Sequence, residues 1–169
     1  METDAMAQLA QAVMNAQALV AADSRSVTAF AALDEALNAR GEFHWSRGDP
    51  EAADDFQACI AANDSRIAIA PEDPGGHVGL VRSHATIAEW NTQQGDAAWA
   101  LHHLELAVAA SKRVRELRAA GHPLPEGAAA SLKALQRSLE AFAGFAETGP
   151  LHPDTAAKVA SFFERLSRR

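Results

Sequence analysis

The sequence predicts an all-α fold of about seven helices paired as antiparallel hairpins. Alanine runs through the whole chain, tyrosine is absent, and no segment shows the Val/Ile/Thr alternation of strands. A Gly-Asp pair recurs at a fixed interval, Gly48-Asp49 and then Gly95-Asp96, each flanked by long helical patterns.

The first predicted helix covers about 4–21, capped by Thr3 or Asp4, with Met6, Leu9, Val13, Ala16 and Val20 on one stripe. A second, about 26–46, starts at Ser26 and aligns Phe30, Leu33 and Leu37. A third opens at Asp49-Pro50, with Asp as cap and Pro at the first helical position, and runs to about 69. APEDPGGH, 70–77, holds two prolines and two glycines and reads as a connector. The fourth helix covers about 77–94 with Leu80, His84 and Ile87 aligned, and the fifth about 97–119 with Leu101, Leu104 and Val108. After GHPLPEG a sixth runs about 127–147 through Leu132, Leu135, Leu139 and Phe142. A seventh, about 154–167, is capped by Asp154 and buries Val159, Phe162, Phe163 and Leu166.

A chain of 169 residues suits one domain whose core needs no metal or disulfide. The expected organisation is an N-terminal capping helix (1–25), two hairpins (26–119) and a diverged C-terminal hairpin (126–169). The lone Cys59 forms no intrachain disulfide and reads as a small buried hydrophobe in a reduced interior, so the expected home is the cytoplasm. The acidic start METDAMAQ gives no signal peptide or membrane span, and the protein is expected to be soluble. Of the net charge of -7, residues 1–100 carry -10 and residues 101–169 carry +3. Such an acidic front disfavours nucleic acid. The basic run 111–118 reads as a complement to the helix dipole.

An offset of 47 residues superimposes Gly48-Asp49 on Gly95-Asp96, Ala53 on Ala100 and Arg66 on Arg113. Glycine suits the left-handed end of one helix, Asp caps the next, and a small Ala lets the two backbones cross closely. With these residues the chain resembles the tetratricopeptide repeat family, in its long-helix bacterial variety. Residues 80–114 form the better copy, with Ala88 at the family's first-helix glycine and Ala100, Leu104 and Ala107 at its packing positions. The copy at 34–69 keeps Leu37, Gly41 and Ala53, but Arg40 and Gln57 stand where large apolar residues are expected. The resemblance covers about 80 residues. It implies a short right-handed superhelix acting as an adaptor or scaffold, with another protein or a peptide on its concave face and no cofactor. A homodimer is a further option. The implied partner-binding residues are Asn38, Glu42, Trp45, Arg82, Glu89 and Thr92, with Ser46 and Ala85 on the same face. Trp45 is either the groove's aromatic anchor or core packing against the first helix.

Chemical motifs are sparse. His102 and Glu105 share a helical face while His103 points elsewhere and, with His102, falls towards the outer side of its helix. No histidine has a Glu three residues ahead of it, and neither H-E-x-x-H nor C-x-x-C occurs. His84 reads as a packed core residue, and Trp90 and Trp99 as hairpin packing. No phosphate loop or nucleophile elbow appears, so the expectation is a non-enzyme without a metal site. The alternatives are a helical-bundle enzyme or metal protein using His84, His102 or His103 with Glu89 or Glu105, or an auxiliary subunit of a larger complex.

Overall fold

The computed structural model describes residues 2–168, which form seven helices and no strand. They are α1 (Glu2–Ala22), α2 (Val27–Arg47), α3 (Glu51–Ile69), α4 (Pro74–Gln93), α5 (Ala97–Ala119), α6 (Ala128–Thr148) and α7 (Pro153–Ser167). Among the described residues no helix is long and apolar enough to cross a membrane. Because α1 is already helical at Glu2, the positions Thr3 and Asp4 expected to cap it are instead interior to the helix.

Helix α4 occupies the centre, with α2, α3, α5 and α6 all packed on it. Helix α1 packs on α2, and α7 on α5. The largest core joins α4, α5, α6 and α7 through Val81, Leu104, Phe142 and Phe162. Two smaller clusters lie towards the N-terminus: Val13 with Leu37 and Cys59, and Ala52 with Phe56 and Ile87.

The two Gly-Asp turns close in the same way. Gly48 and Gly95 both adopt left-handed φ, 73° and 78°. In each, the Asp N–H reaches back five residues, Asp49 to His44 O and Asp96 to Asn91 O. This wrapped helix end satisfies carbonyls that would otherwise lack partners. Gly121 makes a third such ending, with the His122 N–H on Leu117 O.

Beyond the glycine the two copies diverge. Asp96 caps α5, its carboxylate accepting from the Trp99 N–H at 3.1 Å. Asp49 makes no such bond and pairs with Arg47 at 3.2 Å, so the expected Asp49 cap is replaced by tight i to i+3 bonds from Ala52 and Ala53. This 3₁₀-type start overwinds the helix and rotates it relative to α5. Buried positions in α2 map onto α4 with an offset of 47: Asp34, Leu37 and Gly41 onto Val81, His84 and Ala88. Those of α3 map onto α5 with 48: Ala52, Asp55, Phe56 and Cys59 onto Ala100, His103, Leu104 and Ala107. Phe56 therefore fills the space where Gln57 is out of place, and Gln57 is exposed.

Of the expected connector 70–77, residues 70–73 link α3 to α4 and residues 74–77 already belong to α4. Asp73 caps α4, accepting from the Gly75 N–H at 3.1 Å, and Pro74 takes the first helical position. Its glycines serve proximity: a Cβ on Gly76 would lie 2.7 Å from Ile67, and one on Gly79 2.2 Å from Asn63. Helix α7 starts at Pro153, one residue ahead of the expected Asp154 cap. The His152 ring Nδ1 accepts from the Asp154 N–H.

Candidate partner-binding groove

Several of the first-helix residues implied by the resemblance are engaged inside the protein. Asn38 donates to Glu42 at 2.9 Å on α2. Arg82 donates to the buried Asp34 carboxylate at 2.6 Å, joining α4 to α2. Trp45 stands edge-on to Phe56 and to Trp90, with centroids 6.0 and 5.9 Å away, and is half-buried in that cluster. Thr92 is buried, its hydroxyl donating to Ala88 O at 2.8 Å, and Ala85 is fully enclosed, so neither presents a surface. Glu89 is half-buried, while Glu42 and Ser46 are exposed. Arg40, the other misfit of the first copy, donates to the buried Asp55 carboxylate at 3.0 Å, which also bonds the His44 ring at 2.9 Å.

The histidines divide. His84 is buried, and His103 is buried with it rather than facing outward. Their Nδ1 atoms lie 2.9 Å apart, so one ring donates its N–H to the lone pair of the other. Position 103 flanks the Ala100–Ala107 line by roughly 60°, near enough to reach α4, whereas 102 points away. Burial first, and then the neighbouring imidazoles, pull both His84 and His103 down to about 4. Near neutral pH the pair is uncharged and mutually satisfied. His102 is exposed, and Glu105 is held by Arg165 of α7 at 2.7 Å. Among the described residues no three His, Cys, Asp or Glu side chains are grouped to hold a metal. Burial pushes the Cys59 thiol far up, helped by the nearby Asp34 carboxylate, which leaves it inert as a nucleophile.

A groove runs on the opposite side of α4 from these first-helix positions, between α3 and α5. One cavity of about 250 Å³ is bounded by Phe56 and Gln57 of α3, Ile87 and Trp90 of α4, and Trp99 and His103 of α5. A second, of about 490 Å³, is bounded by Ile60 and Asp64, then Leu80 and His84, then Leu106 and Arg113. From His103 of the first cavity to Ala110, which also lines the second, is seven residues of α5, so the two lie about 10 Å apart along it. The wall is apolar and open: Trp99 is 56% exposed and Leu106 37%. Partial desolvation raises the Asp64 carboxyl at one end.

No family model, curated protein or solved structure matches the chain.

Trp99 is not hairpin packing, as the sequence suggested. Under the 47-residue register its place is close to a packing position, but under the 48-residue register of α3 and α5 it aligns with exposed Glu51. Phe56, which replaces the missing apolar residue one place early, was the available sign of that shift.

Proposed function

We propose that the chain is a protein-binding adaptor built on tetratricopeptide-type hairpins, α2 with α3 and α4 with α5. It holds an amphipathic helix of a partner protein in the groove between α3 and α5. The observation that carries this reading is the pair of adjoining cavities beneath an exposed Trp99 and Leu106. A spacing of about 10 Å matches apolar side chains at i and i+7 of a docked helix. Trp99 serves as the anchor, an aromatic supplying large contact area at low entropic cost. His84 and His103, neutral and bonded to each other, form an uncharged floor.

The test places a photo-crosslinking residue at Gln57 and identifies what is captured in the native host, with Trp99→Ala and Leu106→Asp beside it. Loss of the captured protein in both variants, with the melting temperature held, supports the groove. Capture that survives them but disappears on replacing Asn38, Glu42 and Glu89 with alanine moves the binding face to the first helices.

A further inference from the structure

Helix α1 is packed differently from its counterparts. Helix α3 is held between α2 and α4, and α5 between α4 and α6, whereas the one close helix neighbour of α1 among the described residues is α2. Val13 and Ala16 face that neighbour and are buried. The opposite side, Gln11, Met14, Asn15, Ala18, Leu19 and Ala22, is exposed, with Met14 at 56% and Leu19 at 54%. Its intervals of three and four residues are those of a helix seam. No charged residue occurs from Ala5 to Ala22, 18 positions, in a chain that is 22% charged. Exposed ends of stacked helical arrays ordinarily carry a polar, charged outer face.

We propose that this face pairs with α1 of a second copy, antiparallel, about a two-fold axis. A two-fold contact sets one surface against itself, so each central charge would lie near its own image. The uncharged stretch removes that repulsion. The charges that flank this stretch are Glu2 and Asp4 at the start and Asp23 with Arg25 just after the helix. Antiparallel pairing keeps the two acidic starts apart and sets each near the other copy's Arg25. Asp23 lies beside Arg25, its carboxylate accepting from the Arg25 backbone N–H at 2.9 Å. The area is sufficient for a modest dimer. A helix of 21 residues is about 31 Å long, and half its surface is about 500 Å². Two copies then bury about 1,000 Å², the lower bound for a specific interface. The partner helix takes the place of the second flanking helix that α3 and α5 have.

Sedimentation of the full chain from about 1 to 200 µM tests this, with circular dichroism as the folding control. The wild type is expected to be a reversible dimer. Gln11→Lys with Asn15→Lys, both on exposed polar positions, is expected to weaken it at least tenfold, more at low salt than at high salt because the introduced repulsion is screened. Met14→Glu with Leu19→Glu is expected to give a folded monomer. A wild type that is monomeric throughout the range, or a dimer unaffected by the lysine pair, overturns the proposal.

Discussion

The Nδ1 atoms of His84 and His103 meet at 2.9 Å in the interior between α4 and α5, a contact that exists only while both rings are neutral or share one proton. Both are lowered from 6.5 to about 4. Between those values the unfolded chain binds protons that the folded chain refuses, so stability is fully present above about pH 6.5 and declines as the pH falls towards 4. The loss, shared between the two coupled rings, amounts to a few kcal/mol. Urea denaturation at pH 7.5 and at pH 4.5 should show this fall, and His84→Leu with His103→Leu should flatten it.

The Asp34–Arg82 pair joins two residues 48 positions apart, with Asp34 buried and one of its carboxylate oxygens without a hydrogen-bond partner among the described residues. Arg82→Ala should destabilise by about 3–5 kcal/mol, because it strands a buried charge. Asp34→Leu combined with Arg82→Leu should recover much of that loss. A simple additive loss in the double variant would show that the two side chains act separately.

Two glycines should respond to alanine for different reasons. Gly79→Ala drives a methyl group into Asn63 and should cost about 1–3 kcal/mol, with α3 and α4 forced apart. Gly48→Ala meets nothing within 4 Å, and its cost of about 1 kcal/mol comes from the left-handed backbone alone. Replacing Gly48 with Asn, which tolerates that conformation, should recover part of the second loss; the same residue at Gly79 should recover none.

Two tryptophans separate core from groove. Trp45→Ala should lower stability by about 3 kcal/mol through its contacts with Phe56 and Trp90. Trp99→Ala should change it by less than about 1 kcal/mol, since the ring is more exposed than buried. Thermal melts of both variants check the contrast directly.

The helices were legible in the sequence because their alanine-rich, 3.6-residue periodicity is local, and the Gly-Asp pairs marked two turns. The glycines of α4 were not, because DPGG has the composition of a loop; Asp73 and Pro74 start the helix there, and the nearness of Ile67 and Asn63 explains why glycines follow them. The inward turn of His103 was hidden for a related reason. Adjacent residues diverge by about 100° on a helix, but a flank position is decided by which neighbour it meets, here His84. The groove was obscured by an alignment anchored on glycine. That anchor fixes α2 against α4 and sets α3 one residue out of phase with α5.

The 3₁₀-type start of α3 also limits how interchangeable the two hairpins are. Exchanging the second helices at the glycine would carry α5 into the first hairpin one residue out of phase, turning Trp99 towards the station of Ala52 and Leu104 away from that of Phe56. A chimera that instead joins the segments at Ala52 and Ala100 would preserve the inward faces. The turn thus behaves as a key that fits each second helix to its own partner, and modular recombination of this chain must cut behind it.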